Sequence, residues 1–238
     1  GMRPHRPGPT RPPQSILMRP ISYEKLRPMV EKSLEKKQHI LHAATLLLHE
    51  QGLQKLSFEN VAKQAGLSRQ LVRYYFGELD KLVAELCDHL AGAYRNILET
   101  GIADVGQVER LKFFLDFFFG LSDEYAMPEH LEVYDAMVAY SVGSLEMRNR
   151  MCLQYKTLGD VIQHELGIVH PELDERACQE LSYLFVSMMH AHWSFVATLG
   201  HTSDHGKLTR QAIDRLIASY LDNPKSVDGL ERPWARRD

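Results

Sequence analysis

Cysteine is scarce in this 238-residue chain, which has only Cys87, Cys152 and Cys178, far apart and odd in number. That excludes a disulfide framework and any Cys-x-x-Cys zinc knuckle, and makes a reducing cytoplasm the expected location. Glycine is thinly spread, and no Gly-x-Gly occurs. A dinucleotide fingerprint and a kinase glycine loop are thereby excluded, and no Gly-Lys-Ser/Thr follows a glycine loop. A Gly-x-Ser-x-Gly nucleophile elbow is missing too. His164-Glu165 begins like a zinc-protease motif, but Ile168 stands where the second His belongs. The expectation is a protein that is not an enzyme and carries no cofactor.

A membrane span is also lacking. Leu181 to Ser203 holds no Lys, Arg, Asp or Glu and is long enough to cross a bilayer. His190, His192, His201 and several Ser and Thr make its transfer unfavourable, so a helix buried by protein is expected instead. The amino terminus offers only Ile16-Leu17-Met18 as an apolar core for a signal peptide, and Gly1 before Met2 reads as the scar of a cleaved tag.

What is present is an ordinary globular mix, 44% apolar and 25% charged, which excludes wholesale disorder and a fibrous protein. The length suits one large or two small domains. The net charge of −3 conceals a split. Residues 2–81 hold 14 Lys or Arg against 7 Asp or Glu, a balance of +7, whereas residues 82–238 hold 14 against 24, a balance of −10. Such asymmetry suggests that one end meets a polyanion and the other does not, the alternative reading being chance plus a basic tail.

Residues 2–28 contain seven of the eleven prolines and six Arg or Lys. Proline fixes φ and removes a donor, so this stretch reads as an extended arm. Helical periodicity takes over near Ser33, and no alternating strand pattern appears, so the fold class is all-α. A first helix is expected from Ser33 to Glu50, with Ile40, Leu41, Ala44, Leu47 and Leu48 buried and Gly52 ending it. Ser57 can cap a second helix through the amide of Glu59 or Asn60. That helix buries Val61, Ala62 and Ala65, Gly66 stops it, and Ser68 caps a third. Two short helices around Ala65-Gly66-Leu67-Ser68 are the sequence form of a helix-turn-helix. On the third helix Val72, Tyr75 and Phe76 should face inward, and Arg69, Gln70, Leu71, Arg73 and Tyr74 outward.

Residues 39–82 resemble the DNA-binding domain of the TetR family of bacterial regulators. The likeness rests on Ile40-Leu41-x-Ala43-Ala44, Leu47-Leu48-x-Glu50-x-Gly52, Leu56-Ser57, Val61-Ala62-x-x-Ala65-Gly66-Leu67-Ser68, Tyr75-Phe76 and Leu82, which fall in one register. The resemblance implies a dimer with a helical ligand-binding second domain and double-stranded operator DNA as partner. Departures from the family pattern are Arg73 where Tyr is usual, Gln70 where a small residue is common, and Leu79 where a phosphate-contacting Lys is often found. Lys81 lies two positions further on, and Glu59 and Glu78 bring negative charge near the expected DNA face. The expected DNA-binding residues are Ser57, Ser68, Arg69, Gln70, Leu71, Arg73, Tyr74 and Lys81. Of these, Arg69, Gln70 and Leu71 should lie near base edges while Arg73 and Tyr74 hold phosphates.

Further helices are expected near 80–100, 107–120, 128–143, 145–166, 172–200 and 205–222. Phe113, Phe114, Phe117, Phe118 and Phe119 crowd one of them, and aromatics at i and i+4 usually mean core. The other reading places Phe114, Phe117 and Phe118 with Tyr134, Met137, Tyr155, Met189, His192 and Trp193 around a ligand that is small and largely apolar. Ser187, Ala191, Ser194 and Thr198 form a small-residue stripe that admits a second helix closely; with Ala212 and Leu216 of the last helix they are the expected homodimer interface. His190 and His192 point about 200° apart on one helix, and Gly200 and Gly206 favour a loop around His201 and His205. Ligands could converge in three dimensions, but no metal is expected.

The expected organisation is an arm over 1–32, a helix-turn-helix DNA-binding domain over 33–82, a helical ligand-binding and dimerisation domain over 83–223, and a tail over 224–238. The expected function is a homodimeric repressor released from its operator by a small-molecule effector. The alternative is a dimeric small-molecule or metal-binding protein on the same fold with weak operator binding.

Overall fold

Apolar residues at helical spacing organise nearly the whole chain. The computed structural model describes residues 22–106, 109–224 and 228–237, and among them are nine α-helices and no strand. The chain divides into two units, residues 1–37 and 38–238.

The first unit's described part is the start of α1 (Tyr23–Gln51), which begins at Tyr23 rather than near Ser33. Pro28 lies inside this helix. Its ring is compatible with helical φ, and the hydrogen bond it removes belongs to a turn exposed to water. An exposed Arg27–Glu31 pair at 3.1 Å spans that turn. The prolines of residues 1–21 lie outside the described residues.

In the second unit, the rest of α1 buries Ile40, Leu41, Ala44, Leu47 and Leu48, as the periodicity requires. A 3-10 turn (Leu53–Lys55) leads to α2 (Phe58–Ala65) and α3 (Arg69–Phe76). Gly66 between them has φ 68°, a left-handed conformation that costs glycine little. Helix α4 (Leu79–Asp104) runs on into the second half. There α7 (Leu145–Val169) packs against α4, α5 (Arg110–Phe117), α6 (Glu132–Tyr140) and α8 (Glu175–Trp193), and α9 (His205–Asp222) lies against α8.

Besides α1, three elements depart from the sequence expectation, of which α6 is confined to Glu132–Tyr140 where 128–143 is expected. Helix α5 is confined to Arg110–Phe117, with Phe118 and Phe119 beyond its end, yet all five phenylalanines are buried. The expected helix over 172–200 is regular only to Trp193, after which Ser194–Thr198 form a π-helical turn. No proline or charge marks that change; the wider turn accommodates contacts with α6 that lie far away in sequence. No described helix is long and apolar enough to cross a membrane.

Candidate nucleic-acid interface and ligand site

The helix-turn-helix is fixed by short local devices. Ser57 Oγ accepts from the Asn60 amide and Ser68 Oγ from the Leu71 amide, both at 3.1 Å. Each satisfies a donor that the first turn would leave orphaned. His39 Nε2 donates to the Ala65 carbonyl at 2.7 Å, tying α1 to the end of α2. Val72 and Phe76 are buried, so α3 is anchored along one side. Its other side presents Arg69, Gln70, Arg73 and Tyr74 to solvent, with Tyr74 80% exposed. Leu71 is half-buried rather than fully outward, because it shares the α3 face of the half-buried Tyr75 one turn on. Lys81 is exposed in the first turn of α4. Glu59 pairs with Lys63 at 3.5 Å across one turn of α2, which offsets its charge locally.

The residues expected around a ligand separate into two groups. Phe114, Phe117, Phe118, Tyr134, Met137, Met189 and Trp193 are all buried. Around Tyr94 of α4 the rings of Phe118 and Trp193 stack with centroids at 6.1 and 5.6 Å, and Phe117 and Tyr134 meet it edge-on. Trp193 Nε1 donates to the Phe118 carbonyl at 2.8 Å. Tyr94 is 8% exposed and its hydroxyl has no hydrogen-bond partner among the described residues. Burial pushes the phenols of Tyr94, Tyr134 and Tyr155 well above the usual range; Tyr155 adds to the rise at Tyr94, and Tyr94 and Tyr155 add to that at Tyr134.

His192 belongs elsewhere. It faces Phe119, with ring centroids at 5.4 Å, and lies 3.4 Å from the Thr209 hydroxyl of α9. Burial, followed by His205, lowers its pKa. The imidazole beside Tyr155 is that of His190: the Tyr155 hydroxyl and His190 Nδ1 are 2.5 Å apart, and His190 Nε2 is 3.2 Å from Asp135 Oδ1. Neither Tyr94 nor the His190–Asp135 pair is legible in the sequence as a site, since each is completed by distant helices: Tyr94 meets Phe118 and Trp193, and His190 meets Tyr155 and Asp135.

The small stripe of α8 is accessible at Ser187 and Ala191 and partly so at Ser194. Tyr183, Phe195 and Leu199 expose apolar surface in the same region of the chain. Ala212 and Leu216 on α9 are half-buried. The π-helical turn breaks the stripe's register, and the Thr198 hydroxyl is hydrogen-bonded to Asp135 of its own chain. Thr198 is thereby engaged by α6.

Residues 40–86 match the family model of bacterial regulatory proteins of the tetR family. No curated protein matches the sequence. Solved structures share the fold at low identity. A TetR transcription regulator from Haloarcula marismortui ATCC 43049 is 17% identical, with a TM-score of 0.66, over 78% of this chain and 97% of that one. A transcriptional regulator of the TetR family from Cytophaga hutchinsonii is 12% identical, with a TM-score of 0.63, over 79% and 96%. A transcriptional regulator from Saccharomonospora viridis, solved in complex with choline, is 17% identical, with a TM-score of 0.61, over 79% and 96%.

Proposed function

We propose that this chain, a DNA-binding transcription regulator of the tetR family, acts as a homodimeric repressor released from its operator by a small, largely apolar ligand. The observation that carries the DNA reading is the outward face of α3: Arg69, Gln70, Arg73 and Tyr74 are exposed together on a helix held by Ser68 and Gly66. A helix of that kind enters the major groove, where Gln can bond adenine bidentately, while Arg73, Tyr74 and the Ser57, Ser68 and Lys81 side chains lie at its margins and suit phosphates. Two copies are required to read two half-sites one helical turn apart. The exposed Ser187 and Ala191 of α8, with Ala212 and Leu216 of α9, supply the surface for that pairing.

The ligand reading rests on Tyr94. A buried phenol without a partner among the described residues is costly inside an aromatic cluster, and a ligand with one polar group among apolar carbons would satisfy it. Tyr155 with His190 supplies a second polar handle. Because aromatic rings also attract quaternary ammonium groups, and one structural neighbour holds choline, such a cation belongs in the ligand panel beside neutral aromatics.

The deciding measurement is a mobility shift with the DNA upstream of the protein's own coding region, over a salt series. Steep salt dependence with sequence preference is expected. Shallow binding without preference overturns the regulator and leaves a dimeric binding protein on this fold. Mass spectrometry of the denatured protein identifies any co-purified ligand, and Trp193→Ala should weaken its binding while sparing ligand-free DNA binding.

A further inference from the structure

Outside both of these sites, the last turn of α1 meets the start of α6 through three metal-competent side chains. His49, in the last turn of α1, pairs through Nδ1 with Glu132 Oε1, and Glu132 is the first residue of α6. His130 Nδ1 lies 3.8 Å from the same carboxylate oxygen, and the two imidazole rings have centroids 4.1 Å apart. One ligand atom from each of the three residues lies within 4.8 Å of the others.

The backbone is bent to make this meeting. His130 has φ 66°, and it is the one non-glycine residue with positive φ among the described residues. A non-glycine side chain adopts that conformation at a cost, and such outliers cluster at ligand clamps. The His130 carbonyl also accepts from the Val133 amide at 3.1 Å, so its position is set by the first turn of α6. On the opposite edge of its ring, Nε2 faces Glu129 Oε2 at 3.9 Å.

We propose that His49, His130 and Glu132 form a zinc-type divalent metal site that clips the DNA-binding domain to α6. Two imidazoles and a carboxylate suit zinc and its neighbours in the transition series, and do not suit magnesium or calcium, which take oxygen ligands. Zinc bonds of about 2.0–2.2 Å need donors roughly 3.4 Å apart, a separation that side-chain rotation reaches from the arrangement present. His49 is exposed and the other two are half-buried, so an ion can enter from solvent and keep a water in the fourth position. The neighbouring Leu47 and Leu48 are buried in the core of α1, so the ion would join that anchored helix to the first turn of α6. An ion preferring one arrangement of the two helices shifts operator affinity by the ratio of its affinities for the two states. This last step rests on the proposed operator binding; metal binding itself does not.

The test uses the full chain stripped of metal and titrated with Zn2+ against a chromophoric chelator. One ion per chain tighter than about 1 µM is expected. His49→Ala and His130→Ala should each weaken it by more than about 100-fold, since each removes one of three ligands. Zn2+ should raise the melting temperature of the parent and leave that of Glu132→Gln, a near-isosteric variant, unmoved. Absence of a site of that affinity overturns the proposal. So does an unchanged affinity in all variants, which would place the ion elsewhere, as at His201 and His205. If the ion binds as expected and operator affinity is the same with and without it, the clip is overturned. If neither form binds DNA, the repressor reading fails and the metal site stands.

Discussion

Tyr140, the last residue of α6, donates its phenolic hydroxyl to the Asp80 carboxylate in the first turn of α4. Burial and this bond both hold the phenol proton on, raising its pKa well above the usual range. Since α4 follows α3 after a single two-residue break, the bond fastens α6 to the chain just beyond the end of α3. Asp80 is exposed, so water competes for it and the bond is worth less than a buried charged one. A double-mutant cycle of Tyr140→Phe and Asp80→Asn, followed by denaturant unfolding, should return a coupling of about 0.5–1.5 kcal/mol. Additive effects would show that the two groups do not interact in solution.

On α3, Gln70 and Arg73 have different chemistry and should fail differently. Gln70→Ala is expected to relax preference at one base pair by about 1–3 kcal/mol. Arg73→Ala should weaken all sequences together and reduce the salt slope by about 1. Binding-site selection with each variant separates the two. Parent-like operator binding by both would refute the assignment.

For the dimer, Ala191→Arg sets a bulky charge in the exposed small stripe of α8. A charge desolvated there without a partner is strongly unfavourable, so the variant should sediment as a monomer and lose operator binding. A dimer of parental affinity moves the interface to another face.

Trp234 of the C-terminal segment lies on Gly159 of α7. A Cβ at Gly159 would come 2.2 Å from the indole, whose Nε1 donates to Ser182 Oγ at 2.9 Å. Gly159→Ala should therefore displace the indole and cost about 1–3 kcal/mol by overpacking. In a Trp193→Phe background, where Trp234 is the remaining tryptophan, its emission should shift to the red. Unshifted emission would mean that the segment does not dock there.

Stability should also depend on His192. Its folded pKa is lowered from 6.5 by burial and then by His205, so the unfolded chain takes up a proton more readily. The contribution is fully present above about pH 6.5 and is lost as pH falls through the lower folded value. Burial shifts His89 in the same direction, so both histidines add to the slope. His192→Gln should flatten the pH dependence of unfolding midpoints below about pH 6.5; an unchanged slope would assign it to other groups.

Sequence alone determined what is local. The caps at Ser57 and Ser68, the left-handed Gly66 and the buried stripe of α1 follow from residue types within a few positions, and each stands where periodicity placed it. The same reasoning exposes Arg69, Gln70, Arg73 and Tyr74, because a short helix anchored by Val72 and Phe76 has only one face left for water. The tertiary structure decided what depends on distant partners. No local signal distinguishes His190, beside Tyr155, from His192, which turns toward Phe119 and α9. Nor does one reveal the π-helical turn at Ser194, the burial of the Tyr94 hydroxyl among aromatic rings, or His49 meeting His130 across 81 positions. Helical spacing states which side a residue occupies, but the neighbour on that side is set by how helices far apart in sequence pack, and chemistry between side chains begins only at that contact.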